Sequence, residues 1–195
     1  SVRREVVDHP GAREAIEDKC ATCHMPMARY EAHLGGQPGR VFAHLPVGQA
    51  GGRVAVLAAD GVSCSTCHQI RAEGLGEPAS FTGGFTVDAS TPWGSRSILG
   101  PFQTDRGRAA LMPSATGFVP RDAPPIRSSE LCASCHTLYT HPLDERGNVV
   151  GELPEQVPYL EWRESDFARE GRSCQGCHMP VIRERVGRDD VTLVD

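Results

Sequence analysis

Apolar residues in this chain come in short, widely spaced clusters. The clearest periodic set is Ala12, Ala15, Ile16 and Ala21, which share one helical face behind Pro10 and predict a helix over Gly11 to His24. Gly35 to Gly52 is Gly-rich and predicts a loop, and Arg53 to Ala58 predicts a short strand. Residues Glu77 to Asp105, with Thr82-Gly83-Gly84 and Thr91-Pro92-Trp93-Gly94, read as turns with at most a hairpin. Ser128 or Ser129 caps a predicted helix holding Cys132 to Tyr139, with Glu130 in the favourable first turn. Gly147 to Gly151 reads as a turn or short strand. The longest helical pattern runs from Pro154-Glu155 through Tyr159, Trp162, Ser165 and Phe167 to a terminator at Gly171. The tail, Val181 to Val194, alternates partly and predicts an extended segment. The longest strictly apolar run, Val54 to Ala59, falls far short of the roughly 20 residues of a membrane-spanning helix, so no transmembrane segment is expected.

Composition sharpens the problem these sparse clusters pose. Leu, Ile, Val and Phe supply 40 of the 195 residues, close to the level below which chains tend to stay disordered. Gly and Pro supply 36 and aromatic residues only 6%. As bare polypeptide this is a poor core former, and something other than side chains must supply apolar bulk. With eight cysteines the candidates are disulfides, metals or covalently bound cofactors.

All eight cysteines fall in four copies of Cys-x-x-Cys-His: Cys20, Cys23 and His24; Cys64, Cys67 and His68; Cys132, Cys135 and His136; Cys174, Cys177 and His178. The motif reads as c-type haem attachment. Two thiols one helical turn apart reach the two vinyl groups of one porphyrin, and the next residue turns its imidazole onto the iron. Chance placement of a histidine after all four pairs has a probability on the order of 10⁻⁶, which favours haem c over structural zinc. An iron–sulfur protein would carry its cysteines in closer runs, and a disulfide framework needs no histidines. Four haems also answer the composition problem, because the chain then folds around porphyrins. The expected architecture is mainly α with extensive irregular structure, one tetrahaem unit over 1–195. Motif intervals of 44, 68 and 42 residues exclude a true repeat.

Four irons need ligands on their second faces, and four histidines lie outside the motifs: His9, His33, His44 and His141. The count permits a bis-histidine set with nothing spare, while each alternatively reads as a surface or helix-end imidazole. His9, near the terminus, can serve its own chain or a neighbouring one. Between the second and third motifs there is no histidine, only Met112, which alternatively ligates an iron or fills space beside a porphyrin. Met25, Met27 and Met179 follow their motif histidines too closely to reach the opposite face of the same haem, so packing is their expected role. Tyr159 and Trp162 are expected to lie against a haem or in ordinary core packing. Some of Arg29, Arg40, Arg53, Arg96, Arg127 and Arg172 are candidates to clamp propionates.

The run Leu131-Cys-Ala-Ser-Cys-His136, then Pro154-Glu155-Gln156, Tyr159-Leu160-Glu161-Trp162, Ser165 and Cys174-Gln-Gly-Cys-His-Met-Pro180 resembles the secreted multihaem c-type cytochromes. It is similar above all to the tetrahaem members related to hydroxylamine-oxidising and nitrite-reducing systems. The first motif, followed by Met25-Pro26, is similar too, whereas Ala72 to Arg127 resembles the family weakly. The resemblance implies attachment outside the cytoplasm, periplasmic or at the cell surface, with closely spaced haems and electron transfer as the usual role. Family members often place a distal histidine ahead of the third motif, where this chain offers Met112. Nitrite-reducing relatives replace one motif histidine by lysine; here all four motifs end in His and the only lysine is Lys19.

Three roles follow for such a chain. The first is an electron carrier with six-coordinate irons; the second is an oxidoreductase with one open iron acting on a small nitrogen or sulfur compound. The third, compatible with the first, is a filament or larger redox assembly in which haems stack from chain to chain. The absence of a lysine-ended motif favours the carrier over the enzyme. The formal charge of -5 describes the polypeptide alone. Propionates bring the haem-bearing form to about -9 oxidised and about -13 reduced, which steers basic redox partners and excludes nucleic acid. The sequence opens at Ser1 without a basic segment and apolar stretch of its own, so an export signal is expected to have been removed or never included.

Overall fold

The computed structural model describes residues 2–49, 51–146, 148–186 and 189–194, with side chains as far as Val181. Its regular structure is mainly helical, joined by long irregular connections and three two-stranded sheets. The chain divides into two compact units: Ser1–His68 with Tyr139–Glu155, and Gln69–Leu138 with Gln156–Asp195.

In the first unit, helix α1 (Val2–Asp8) and a 3-10 turn (Pro10–Ala12) lead into α2 (Arg13–His24). The predicted helix over Gly11 to His24 is therefore present, its first turn wound tighter. Met25 leaves the helical region (φ -144°, ψ 53°), as a residue before proline must, and Pro26 then opens α3 (Pro26–Leu34). The Gly-rich loop expected over Gly35 to Gly52 contains a 3-10 turn at Val41–His44. The expected strand after it is a helix instead, α4 (Arg53–Ala59). A six-residue apolar run has no period of its own, and its three alanines and a leucine favour helix. Once helical, Val54, Leu57 and Ala58 fall at i, i+3 and i+4 and close on Ala21, Met25, Ala28 and Val41, the unit's small core. The one-turn helix α5 (Cys64–Cys67) follows. The returning segment folds back on itself, with strands Leu138–Thr140 and Leu153–Gln156 paired and Asp144 accepting from the N–H groups of Arg146 and Asn148. The turn expected near Gly147 to Gly151 lies here, although Gly147 itself is outside the described residues.

The second unit holds more order ahead of the third motif than the sequence predicted. Strand Arg96–Gly100 pairs in parallel with Phe118–Asp122, and α6 (Arg106–Thr116) bridges them. Its caps are conventional: Asp105 accepts from Arg108 N–H at 2.8 Å, and Gly117 ends it with φ 75°. Both signals stand in the sequence, at and beyond the end of the Glu77 to Asp105 stretch that reads as turns, and the helix itself was not predicted.

Helix α7 (Ser129–Ala133) is shorter than expected, since Leu138–Thr140 is strand. The pattern from Pro154 likewise breaks up. Residues 153–156 are extended, Val157 precedes Pro158 and stays non-helical, and α8 (Pro158–Glu164) stops at Ser165 before α9 (Asp166–Arg169). After α10 (Cys174–His178), Val181–Val186 pairs antiparallel with Asp189–Val194, in keeping with the expected extended tail. Among the described residues no helix is long and apolar enough to cross a membrane.

Candidate functional site

Every Cys-x-x-Cys-His motif is wound into a helical turn. Residues i, i+3 and i+4 of a helix share one face, so the two thiols and the imidazole line up while the two intervening residues point away. In the first motif Ala21 and Thr22 are buried at the end of α2, with Cys20 and Cys23 half-buried and His24 exposed. In the second, His68 N–H donates to Cys64 O at 3.0 Å and Thr66 is buried. In the third, His136 N–H donates to Cys132 O at 2.9 Å, with Ala133 and Ser134 at 0% and 1% exposure. The fourth turn is α10, where Ser173 Oγ accepts from Gly176 N–H and the intervening Gln175 is the anchor.

The supports around the second unit's motifs are built from backbone and side-chain groups together. Thr82 N–H donates to Thr137 O at 2.8 Å and Gly83 N–H to Ser134 O at 2.7 Å, so the Thr82-Gly83-Gly84 turn caps the third motif. Cys174 N–H donates to Ser129 Oγ at 3.0 Å, and the Gln175 amide reaches the carbonyls of Ile126 and Ser128. Tyr159 is buried, donates to Glu130 at 3.5 Å and stacks on Trp162 at 5.7 Å. Trp162 Nε1 donates to Arg172 O. Tyr159 thus packs in the core, with the half-buried Trp162 beside it.

No disulfide joins any of the eight cysteines. Burial pushes the Cys20 thiol up, and Glu155, Cys23 and Glu17 add to the shift. Burial likewise raises Cys67, with Cys64 beside it. Among the described residues no group of three or more His, Cys, Asp or Glu side chains converges on a point as metal ligands do. Thioether attachment asks for something different, because its thiols bond to separate positions on a porphyrin edge.

The four histidines outside the motifs all lie in the first unit. His9 Nε2 is 3.5 Å from Glu5 and His141 Nε2 is 3.7 Å from Glu152, both at partly open sites. His33 Nε2 lies 2.6 Å from Asp18 Oδ1. His44 borders a cavity of about 410 Å³ together with Ala21, Met25, Ala28 and Val41, and its Nδ1 is buried with no hydrogen-bond partner. Met112 sits half-buried on α6 in the second unit. Met25 packs in the core and Met27 Sδ accepts from Ser63 Oγ, as expected of packing residues, whereas Met179 is 46% exposed.

Five of the six arginines singled out for propionates already hold protein oxygens: Arg29 on Asp18, Arg53 on Glu31, Arg96 on Thr91 O, Arg127 on Asp122 and Arg172 on Glu170. Arg40 borders both the 410 Å³ cavity and a second one of about 460 Å³ beside Arg13, Glu17 and Phe42. Sequence reading missed Asp18, whose partners Arg29, His33 and Gly39 stand 11, 15 and 21 residues further on. No local pattern announces such a cluster. Comparison with protein-family models, with curated proteins and with solved structures finds no match for this chain.

Proposed function

We propose that this chain is a tetrahaem c-type cytochrome that carries electrons outside the cytoplasm, alone or within a larger redox assembly. The observation that carries the reading is the fourfold placement of two thiols and an imidazole along one face of a helical turn. In three of the four turns a residue between the cysteines is buried, and in the fourth Gln175 is tied down by hydrogen bonds. Such a turn is fixed from behind and open in front, which fits a flat macrocycle joined at two points and held at its metal by the neighbouring histidine.

The small buried core of the polypeptide supports the same reading. Twelve apolar residues are buried among those described, and five of them are alanine. Four porphyrins would supply the apolar bulk that these side chains do not.

A haem bound at each turn supplies a one-electron couple. The chain's own residues fix position and potential. Cys20, Cys23, Cys64, Cys67, Cys132, Cys135, Cys174 and Cys177 would anchor the haems, and His24, His68, His136 and His178 would ligate their irons. The acidic balance directs encounter with basic partner proteins. Four histidine-ended motifs leave no lysine-ligated site, which favours transfer of electrons over turnover of a substrate.

Intact-mass spectrometry of the chain produced in a host that attaches c-type haem tests the reading. The expected mass is the polypeptide plus four haems, with reversible reduction by small mediators. A chain of unmodified mass carrying eight alkylatable thiols overturns it.

A further inference from the structure

The tetrahaem reading, on which this inference rests, asks four irons to find a ligand on their second faces, and the structure commits one of the four available histidines elsewhere. His33 Nε2 meets Asp18 Oδ1 at 2.6 Å. The same carboxylate receives Arg29 Nε and Nη2 at 3.1 and 2.8 Å, and Gly39 N–H at 2.6 Å. The backbone at Gly39 is closed tightly over it, since a Cβ there would stand 2.8 Å from Ala21 Cβ and 3.1 Å from Asp18 Oδ1. An imidazole nitrogen that donates to a carboxylate has no lone pair for iron, and Nδ1, next to Cβ, is the more hindered of the two ring nitrogens. Detaching His33 would strip a charge-assisted partner from a half-buried carboxylate.

The second unit points the same way. It carries the third and fourth motifs, yet Gln69–Leu138 and Gln156–Asp195 contain no histidine outside them. Apart from Met179, which follows His178 directly, its one thioether is Met112.

We infer that His33 is a positioning residue on the Asp18 cluster and that at least one of the four irons has no histidine on its second face. His9, His44 and His141 serve three irons at most. Exchange of a histidine between copies of the chain leaves this ratio unchanged, since each copy gives as many as it receives.

Near-infrared magnetic circular dichroism of the oxidised protein, with electron paramagnetic resonance, separates histidine–histidine, histidine–methionine and high-spin irons. The expected result is three or fewer bis-histidine irons among four haems, with the same distribution in His33→Gln. Four bis-histidine irons, or conversion of one low-spin iron in His33→Gln, overturns the inference while leaving the cytochrome reading intact. A preparation with no covalent haem overturns the cytochrome reading itself. The count in the unaltered protein decides the ratio even where His33→Gln fails to take up four haems. Asp18→Asn then serves for the assignment of His33: an unchanged distribution, or one bis-histidine iron gained as His33 is released, is expected, and loss of a bis-histidine iron overturns it.

Discussion

The Gln175 side-chain amide donates to the carbonyl oxygen of Ser128 at 2.7 Å, tethering the turn of the fourth motif to the start of the helix that carries the third. The same nitrogen reaches Ile126 O at 3.2 Å, so one residue between two cysteines satisfies two carbonyls 47 and 49 positions earlier. Gln175→Ala is expected to lower unfolding free energy by about 1–2 kcal/mol in denaturant titrations, because both acceptors lose their donor. Gln175→Glu is expected to cost more at neutral pH, since it sets a carboxylate against two carbonyl oxygens. Equal stability of Gln175→Ala and the parent would show that the tether contributes nothing.

Gly84 holds the turn that caps the third motif. A Cβ at this position would lie 2.0 Å from Ala79 O and 3.1 Å from Phe81 O, both backbone atoms that cannot swing aside. Gly84→Ala is therefore expected to cost roughly 1–3 kcal/mol and to weaken the bonds from Thr82 and Gly83 to Thr137 and Ser134. Gly11→Ala is the matched control. Its Cβ meets nothing within 4 Å and its backbone is not left-handed, so it is expected to be neutral or to stabilise by up to about 1 kcal/mol. Thermal denaturation of the pair checks both directions.

These two positions show where sequence reading reached and where it stopped. Thr82-Gly83-Gly84 announces a turn through composition, but that its N–H groups serve Ser134 and Thr137 depends on residues more than fifty positions away. The motif cysteines and histidines were legible because their spacing is local, three and four residues on one helical face. Helix α2 was legible for the same reason. The strand predicted over Arg53 to Ala58 is a helix because the short apolar run there carries no period, and packing against Ala21 and Met25 settles the choice. Helix α6, just past the stretch that reads as turns, was not predicted, although Asp105 and Gly117 mark both its ends. Asp18 had no local signal at all.

Asp18 gives stability a pH dependence of known sign. Burial alone would raise its carboxyl, but the hydrogen bonds from Arg29, Gly39 and His33 outweigh it and hold the group below its ordinary range. A carboxyl depressed in the folded state stabilises fully above its unfolded pKa of about 4 and loses that contribution as pH falls through the folded value. Asp18→Asn is expected to cost roughly 2–3 kcal/mol at pH 7. The difference between variant and parent is expected to shrink below about pH 4. A gap independent of pH in paired urea titrations would assign the cost to shape and not to charge.

On the proposed cytochrome reading, removal of haem is the most severe perturbation available. The longest helix, α2, has twelve residues, and isolated helices below about 12–15 residues are marginal in water. The first unit's buried cluster is five small or medium side chains, three of them alanine, edged by half-buried Phe42, Val54 and Leu57, and the second unit buries little more than Ile70, Ile126, Leu131 and Tyr159 beside alanines. Neither helix length nor side-chain burial can then offset a conformational entropy cost of about 1–2 kcal/mol per residue. Protein made without haem attachment is thus expected to lack near-UV circular dichroism, to show much reduced far-UV helix signal and to melt without a cooperative transition. Replacing only Cys174 and Cys177 by alanine is expected to be milder, since α10 is also held by Gln175 and by Cys174 N–H on Ser129, backbone and side-chain bonds that do not need a thiol. A haem-free chain with native-like near-UV signal would mean that the polypeptide supplies its own core.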